Sequence, residues 1–537
     1  MPIGLSSSLR PRPRSFGGAI LALLLVLAPG VALADPPAGF DARVEELRKS
    51  VGIPGMAIAI VENGRTTLAK GYGMRRIGGR DAVTPDTIFP NGSTGKAFTS
   101  AALAVLVDQG KIGWDDKVID RLPGFQMYDP YVTREMTIRD LLVHRSGLGL
   151  GAGDLLFVPS TNLTRREAVR RLRFIKPATS FRSGYAYDNV LYMVAGQLIE
   201  EVSGQTWETF VEQHVLRAGG MKTATSDEKR FATRDRAFPH ARISGPFRGV
   251  GEQEMLDERK ELGRTAAPAG GMAVSARDMA RWMTIQLAHG KLPEGRQLFS
   301  ERQAAEMWTP VVLTPSGPMP PSLTSAQPMF SAYALGWSVR DYKGAKIVWH
   351  DGAVFGFQAT VVLIPEKNIG FTMLINSEDG ELVRGLMYEL LDHYLGQPTQ
   401  DWVSDWRAFK RARQQRAQAA VSGAEAKPTA VGPSLPLARY AGDYADPWYG
   451  PISIRADGER LLIDFKQSPG LTGTLEHWQY DSFRTRWDDK SFEPAYVTFA
   501  LDPAGKIDRV TMRPVSPVAD FSWDYQDLLF TPVSAAQ

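Results

Sequence analysis

The apolar and polar positions of the first 310 residues alternate in ways that predict distinct elements. Apolar residues at helical spacing occupy 41–51, and an apolar run rich in β-branched side chains follows at 55–61. Asn63-Gly64 then predicts a tight hairpin turn into a second strand at 66–71. Between about 96 and 310 the pattern is mainly helical, with Gly and Pro in the connecting loops.

Strand patterns return after this helical region. They lie at 333–341, 346–350, 358–364 and 370–375. Short polar turns separate them, so they predict an antiparallel meander, and a helix is expected at 381–394. Strands at both ends of a segment with helices between them indicate an α+β domain whose one sheet is built from both termini.

A polar segment and a set of short strands make up the rest of the chain. Residues 402–421 are rich in Arg, Gln and Ala, and 422–436 hold Gly, Ala and Pro, so 401–435 is predicted to be a helical and flexible linker. Short strand patterns then lie at 452–455, 461–465, 496–501 and 509–513. Their spacing predicts a small all-β barrel or sandwich. We therefore assign the α+β domain to 35–400 and the β domain to 436–537.

The first residues have the order of a secretory signal. Three arginines, Arg10, Arg12 and Arg14, precede an apolar run at 16–28, and Ala32-Leu33-Ala34 resembles a cleavage site. The run is too short to span a bilayer comfortably, although an uncleaved anchor is the alternative. We expect cleavage near Ala34, which would make the mature protein periplasmic or secreted.

Composition adds two restrictions. The 62 basic and 59 acidic side chains give a net charge of +3, but residues 1–34 hold three arginines and no other charged residue. The remainder is formally neutral, which gives no indication of a nucleic-acid partner. The chain has no cysteine, which excludes disulfides, thiolate metal sites and a cysteine nucleophile. Nucleophilic chemistry would therefore rest on a hydroxyl group.

Ser93-Thr94-Gly95-Lys96 is the first candidate for that chemistry. It precedes an apolar run that ends near Gly110 and predicts a buried helix, so Ser93 and Lys96 would share one face at its start. A buried lysine has a lowered pKa and could accept the serine proton. The same spacing at Ser226 and Lys229 lies in a polar stretch, and we interpret that copy as chance. Taken alone, Ser93 could equally be a helix cap beside a surface lysine.

A second motif, Tyr187-Asp188-Asn189, directly precedes another helical pattern. Two side chains at alternate positions of a loop can face one cleft. Tyr187 could relay a proton, and Asn189 could hydrogen-bond a carbonyl group.

A third motif, His350-Asp351-Gly352, is predicted to close a strand and open a glycine-rich turn. Gly352 would allow a substrate to approach the backbone closely. The N–H of the next residue, Ala353, could then donate to a developing oxyanion.

These three motifs, in this order, resemble the serine β-lactamase and penicillin-binding-protein superfamily. The resemblance is closest to its class C-like hydrolases (peptidase family S12) and covers about 40–395. Residues 137–148 and 268–272, outside the three motifs, resemble the family as well. It implies a β-lactamase-like antiparallel sheet with an inserted helical subdomain. The C-terminal segment resembles the lipocalin-like tails of some of these hydrolases, which would either cap the active-site mouth or mediate homo-oligomers.

The resemblance also implies a role for each motif residue. Ser93 would attack a carbonyl and form an acyl-enzyme. Lys96 would accept its proton, with Tyr187 as partner base and as proton donor to the leaving group. Asn189 would hold Lys96 and the substrate. The N–H groups of Ser93 and Ala353 would form an oxyanion hole, and no metal or organic cofactor is implied.

The third motif departs from the lactamase pattern. Many members have Lys-Thr/Ser-Gly where this chain has His350-Asp351-Gly352, and in the family that lysine and hydroxyl help bind the substrate carboxylate. A neutral histidine attracts an anion less strongly, so we do not expect efficient β-lactam hydrolysis. His350 and Gly352 are predicted to contact the substrate. His144, beside an apolar helix end, is interpreted as a packing residue, and no other histidine has metal-ligand spacing.

The leading hypothesis is an exported serine hydrolase that cleaves a small amide or peptide bond, including one next to a D-amino acid, as linear-peptide-degrading hydrolases do. A carboxylesterase on the same site is one alternative. A non-catalytic penicillin- or peptide-binding protein is another. In each case the partner is a small peptide, amide or ester, with no nucleic acid and, once the signal is removed, no membrane.

Overall fold

The predicted elements can be compared with a computed structural model of the chain. It describes residues 36–232, 234–257, 262–425 and 431–533. The predicted signal peptide at 1–34 lies outside the described residues. Within them, no helix combines the length and the apolar composition that crossing a membrane requires.

The described residues form thirteen α-helices, most of which lie between the first and last strands of the large sheet. In chain order they are α1 (Phe40–Val51), α2 (Lys96–Asp108), α3 (Val118–Arg121), α4 (Pro130–Glu135), α5 (Arg165–Arg171), α6 (Val190–Ser203), α7 (Trp207–Val211), α8 (Glu228–Ala232), α9 (Gly263–Gly270), α10 (Ala276–Leu287), α11 (Glu301–Met307), α12 (Gly380–Tyr394) and α13 (Trp402–Glu425).

The strands form one large sheet, two small sheets and a barrel. They are β1 (Gly55–Glu62), β2 (Arg65–Gly73), β3 (Ile88–Pro90), β4 (His240–Arg242), β5 (Gln253–Met255), β6 (Ala273–Ser275), β7 (Val312–Leu313), β8 (Ser331–Tyr333), β9 (Ser338–Tyr342), β10 (Ala345–Val354), β11 (Phe357–Ile364), β12 (Ile369–Ile375), β13 (Gly442–Asp446), β14 (Gly450–Asp457), β15 (Arg460–Phe465), β16 (Thr472–Gln479), β17 (Ser482–Trp487), β18 (Ala495–Leu501), β19 (Ile507–Pro514) and β20 (Leu529–Pro532).

The large sheet joins the two ends of the α+β domain, as the sequence predicts. Its strand order is β2-β1-β12-β11-β10-β9-β8-β7, and β1 runs antiparallel to β12 with Met56 opposite Ile375. Every residue of β1 is buried because alternate side chains enter two apolar clusters, Ala57 on one face and Ile58 on the other. An unbroken apolar run is what a strand covered on both faces requires. The α+β prediction is confirmed.

Two predicted strand boundaries in this sheet are wrong. The pattern at 333–341 is divided between β8 and β9, and the chain reverses at Gly336, whose φ is 79°. The predicted turn at His350-Asp351-Gly352 lies inside β10, which continues to Val354. Gly352 lets the backbone of Asn91 approach β10 closely and does not form a turn. A glycine in a sequence pattern is compatible with either role, so the pattern could not distinguish them.

The polar segment after the sheet is partly integrated into the fold. It forms α13, as the helical part of the prediction requires, and its first turns pack on α12. Trp402 and Val403 are buried there, and a Cβ on Gly385 would lie 2.5 Å from the Val403 side chain. The flexible stretch predicted after this helix falls partly on residues outside the described ranges.

The C-terminal strands close into an eight-stranded antiparallel barrel, β13 to β20. The four predicted strands correspond to β14, β15, β18 and β19, and the remaining four were not predicted. β16 and β17 carry many polar side chains, so their alternation is weak as a sequence signal. Closure of the barrel leaves few polar backbone groups unpaired at its strand edges.

Candidate active site

Ser93 lies on a tight turn that leads directly into α2. The chain leaves β3, which pairs with β6, and forms a 3-10 turn at Gly92–Gly95. Lys96 is therefore the first residue of α2, and Ser93 precedes the α-helix proper. The predicted proximity holds, because three residues of a 3-10 turn make one full turn. The Ser93 side chain is half-buried and Lys96 is fully buried.

The Lys96 ammonium has three hydrogen-bond acceptors around it. Nζ lies 3.0 Å from Ser93 Oγ, 2.6 Å from Asn189 Oδ1 and 2.8 Å from the carbonyl oxygen of Ala269. Asn189 Oδ1 and the Ala269 carbonyl oxygen cannot donate, so each accepts an N–H of Lys96 whether the lysine is charged or neutral. The third position on nitrogen, a proton or a lone pair, therefore faces Ser93.

Burial makes Lys96 a weaker base than an exposed lysine. It lowers the pKa of Lys96 from 10.5 to about 7, although the carboxyl groups of Asp154 and Asp188 oppose the change. A substantial fraction of Lys96 is therefore neutral near pH 7, as a general base for Ser93 must be.

Tyr187 faces the same two residues. Its ring centroid is 4.8 Å from Lys96 Nζ, and its hydroxyl interacts with the Ser93 side chain. Burial raises the pKa of Tyr187 well above 10, so the phenol is protonated at neutral pH. That state suits a proton donor, and it disfavours the predicted role of Tyr187 as a phenolate base.

Asn189 is held at both ends of its amide. Oδ1 accepts from Lys96, and Nδ2 donates to Asp154 Oδ2 at 2.8 Å. Burial raises the pKa of Asp154 to about 8, which leaves this carboxyl largely protonated at pH 7. Asp154, which the sequence analysis missed, therefore fixes the orientation in which Asn189 presents an acceptor to Lys96.

The backbone N–H of Ala353 points toward the Ser93 turn. β10 pairs with β9 only as far as Trp349, and with β11 as far as Val354. β9 and β10 are joined by a two-residue hairpin, and Ala345, the first residue of β10, exchanges hydrogen bonds with Tyr342 of β9. Every second residue of β10 after Ala345 therefore points its backbone N–H and C=O toward the β9 side. Ala353 is one of these, and its N–H points past the end of β9. The Gly92–Gly95 turn packs on that side.

Two glycines allow this close packing. A Cβ on Gly352 would lie 2.0 Å from the carbonyl oxygen of Asn91 and 3.1 Å from the nitrogen of Ser93. A Cβ on Gly92 would lie 2.6 Å from the nitrogen of Ala353. With neither Cβ present, Ser93 and Ala353 line one cleft, as the two donors of an oxyanion hole must.

His350 lies behind the site and not in it. Its Nε2 is 2.7 Å from the hydroxyl of Tyr333, and its Nδ1 is hydrogen-bonded to the carbonyl oxygen of Asp351. Burial lowers the pKa of His350 to about 3, so the ring is neutral, with Nδ1 as donor and Nε2 as acceptor. Both ring nitrogens of His350 are therefore occupied, and the substrate contact expected of its side chain stays a prediction. Asp351 pairs with Arg384 on the other face of β10.

A cleft of about 670 Å³ opens in front of Ser93 and Asn189. Apolar side chains from both domains line it: Leu150, Phe157, Val158, Val354, Phe355, Phe521 and Trp523. The last two belong to the barrel loop, residues 515–528, which joins β19 to β20. The Phe521 ring packs 5.8 Å from that of Tyr187. Because the loop lies far from the motifs in sequence, no local pattern indicated that it reaches the site.

His144 packs among the aromatic rings behind the site, as interpreted from the sequence. It is fully buried, its ring is 4.1 Å from that of Tyr187, and its Nδ1 accepts from the backbone N–H of Asp188. Within the described ranges, no group of three or more His, Asp or Glu side chains is arranged to hold a metal ion.

Comparison with known proteins relates the chain to one family. The family model described as Beta-lactamase matches residues 40–395, and one described as a domain of unknown function (DUF3471) matches 426–532. An unguisins hydrolase of Aspergillus violaceofuscus is 30% identical over 512 residues, 87% of this chain and 86% of that protein. Penicillin-binding protein 4 of Amycolatopsis lactamdurans is 28% identical over 370 residues, 67% of this chain and 90% of that protein.

A solved structure shares the fold. The octameric penicillin-binding protein homologue from Pyrococcus abyssi matches with a TM-score of 0.58 at 20% identity, over 88% of this chain and 97% of that chain. At that identity the match shows the architecture alone.

Proposed function

Because the chain belongs to the beta-lactamase family, we propose that it is a serine hydrolase that cleaves amide or peptide bonds through an acyl-enzyme on Ser93. The observation that carries the proposal is the hydrogen-bonded set of Ser93, Lys96 and Asn189. A nucleophile, a base of matched pKa and a residue that orients the base are the parts that covalent catalysis needs.

Acylation begins with transfer of the Ser93 proton to neutral Lys96. Asn189 and Ala269 already bind two N–H groups of Lys96, so its lone pair faces Ser93 Oγ and no side chain has to rotate. Oγ adds to the substrate carbonyl carbon, and the carbonyl oxygen becomes an oxyanion between the N–H groups of Ser93 and Ala353. Donors fixed in advance lower the barrier because nothing reorganises as the charge develops.

Collapse of this tetrahedral intermediate breaks the carbon–nitrogen bond. An amine is a poor leaving group unless its nitrogen is protonated, and the neutral phenol of Tyr187 is suited to supply that proton. The Tyr187 phenolate regains a proton from the Lys96 ammonium, so both groups return to their starting states. Water then adds to the acyl carbonyl and gives a proton to Lys96, and Lys96 returns that proton to Ser93 Oγ as the carbon–oxygen bond breaks and the acid leaves.

The need for an acid favours an amide over an ester as the natural substrate. An activated ester expels a stable phenolate or alkoxide and makes little use of Tyr187, whereas an amide cannot react without such a donor. The cleft supports a substrate larger than a short ester, because its volume of about 670 Å³ lies in the range that binds drug-sized ligands. That one relative is named a hydrolase of unguisins is consistent with this class. The carboxylesterase remains the second candidate.

Labelling with a fluorophosphonate tests the nucleophile. We expect wild-type protein to be labelled at Ser93 and Ser93→Ala to lose both labelling and turnover. Ser226→Ala is the matched control, because Ser226 has a lysine at the same spacing, but its hydroxyl is hydrogen-bonded to the carbonyl of Glu208. Labelling that persists in Ser93→Ala would reject the assignment.

A substrate screen tests the reaction class. p-Nitrophenyl esters are compared with D- and L-aminoacyl amides and short peptides. Turnover of amides or peptides is expected, and turnover of esters alone would replace the peptidase with the esterase. Labelling without any turnover would favour the non-catalytic binding protein.

Export and assembly are separate proposals. The residue order at 10–34 supports a cleaved signal, so N-terminal sequencing of protein from the producing cells should begin near Asp35. Formation of a homo-oligomer is to be measured by light scattering of the full mature chain.

A further inference from the structure

The barrel loop contacts the turn that carries Asp154. Ser522 Oγ donates to Asp154 Oδ2 at 2.7 Å. The two carboxylate oxygens of Asp524 accept from the N–H groups on either side, Gly153 at 2.7 Å and Leu155 at 2.9 Å. The barrel thus holds Asp154 through its side chain and through the backbone N–H groups of its two neighbours.

These contacts continue inward to the catalytic lysine. The Asp154 oxygen that accepts from Ser522 also accepts from Asn189 Nδ2, and Asn189 Oδ1 accepts from Lys96. Four side chains from two domains therefore form one hydrogen-bonded chain that ends at the proposed base. Asp154 and Lys96 are fully buried, so water does not readily replace the inner links, whereas Ser522 is half-buried at the edge of the cleft.

We propose that the C-terminal barrel is part of the catalytic machinery, with Ser522 and Asp154 acting as positioning residues for Lys96 through Asn189. This inference rests on the proposed function, because it assigns residues to the same reaction. The bond from Asn189 to Asp154 prevents the amide from turning its NH₂ group toward Lys96. Ser522 holds the Asp154 oxygen that accepts this bond.

The titratable groups around Asp154 determine how the chain responds to pH. Lys96 lies beyond Asn189, Asp520 and Asp524 act on Asp154 from the barrel loop, and the Tyr187 phenol is nearby. Burial raises the pKa of Asp154 most and Asp520 adds to the rise, whereas the hydrogen bonds from Ser522 and Asn189 and the charge of Lys96 oppose it, so the protonated carboxyl is favoured at neutral pH. Ser522 then fixes which oxygen of Asp154 faces Asn189.

The test uses the full chain and the fluorophosphonate reaction, which needs Ser93 and its base but no particular substrate side chain. We expect Ser522→Ala to slow labelling about 10-fold and Asp154→Ala about 100-fold, because the first removes one part-buried hydrogen bond and the second also removes the buried bond to Asn189. The midpoint of the rate against pH should also shift, because the environment of Lys96 changes. Ser522→Thr, which keeps a hydroxyl, should restore the rate and the midpoint.

Thr161→Val is the matched control. Thr161 of the α+β domain donates to the carbonyl oxygen of Gln467 in the barrel at 2.9 Å. It is not part of the series of hydrogen bonds that leads from Ser522 to Lys96. If it slows labelling as much as Ser522→Ala, the barrel acts through general stability and the inference is wrong. A wild-type rate and midpoint in Ser522→Ala would also overturn it.

A double-mutant cycle measured by thermal unfolding tests the contact without any readout of catalysis. The Tm losses of Ser522→Ala and Asp154→Ala should not add in the double variant, because both remove the same bond. Full additivity would overturn the contact. If wild-type protein is not labelled at Ser93, the proposed function fails; if labelling is normal and unaffected by Ser522→Ala, this inference alone fails.

Discussion

The pKa of Lys96 makes a prediction about how the reaction depends on pH. Ser93 can lose its proton only to a neutral lysine, so the acylation rate should follow the neutral fraction of Lys96. We expect the rate of fluorophosphonate labelling to rise tenfold per pH unit below about pH 7 and to level off above it. An ordinary lysine would still be gaining reactivity at pH 10.

The magnitude follows from burial. An exposed lysine of pKa 10.5 is neutral in roughly 1 molecule of 3,000 at pH 7, whereas about half of Lys96 is neutral there. Burial thus increases the reactive population about a thousandfold. The change in pKa from 10.5 to about 7 corresponds to about 5 kcal/mol against the charged form.

The difference in the pKa of Lys96 between the folded and the unfolded chain also changes the free energy of unfolding with pH. Between about pH 7 and pH 10.5 the unfolded chain binds a proton on Lys96 that the folded protein does not. This contribution to the free energy of unfolding therefore rises with pH across that window. Lys96→Met should remove the rise, which denaturant titrations at pH 7 and pH 9 would measure.

Labelling rates are to be measured from pH 5 to pH 10 on three proteins. Lys96→Met should lose at least 100-fold in rate at every pH, as expected for loss of a general base. Lys229→Met, which changes the lysine of the second Ser-x-x-Lys copy, should match wild type. A wild-type profile that climbs steadily to pH 10, or one that is flat, would refute the assignment of Lys96 as a base with lowered pKa.

Three further predictions concern the rest of the site. Gly352→Ala should lower the acylation rate about 100- to 1,000-fold by displacing an oxyanion donor, whereas Gly317→Ala, with no atom within 4 Å of the added Cβ, should not; labelling kinetics compare them. Tyr187→Phe should reduce amide hydrolysis by about 100-fold or more and change fluorophosphonate labelling little, so an equal loss in both would contradict its role as acid. Asp351→Ala should leave turnover within about twofold, because that carboxylate pairs with Arg384 away from the cleft; a large fall in kcat/KM would place it in the reaction.

The local sequence predicted the elements that carry strong periodic signals. The apolar run of β1, the Asn63-Gly64 hairpin and the helices after Ser93 and Asn189 all lie where the pattern puts them. These signals are reliable because burial of a whole strand or helix face constrains many consecutive residues at once. The polar strands β16 and β17 lack such a constraint and were missed.

The three motifs were predicted to form one site, and the fold brings Ser93, Lys96, Tyr187 and Asn189 together. The orientation of a side chain is a different matter. Nothing in His350-Asp351-Gly352 indicates that the imidazole turns back to Tyr333, because that depends on which partner the sheet brings beside it.

By itself the sequence determined the fold class and the absence of thiol chemistry, and it identified Ser93 as the proposed nucleophile and Lys96 as its proposed base. These depend on residue type and on intervals of a few positions. Only the tertiary structure decided that Lys96 is fully buried, that Ala353 directs its N–H past the end of β9, and that Ser522 reaches Asp154 from 368 positions away. The physical reason is that desolvation and long-range hydrogen bonds arise from packing between distant segments, which leaves no periodic trace along the chain.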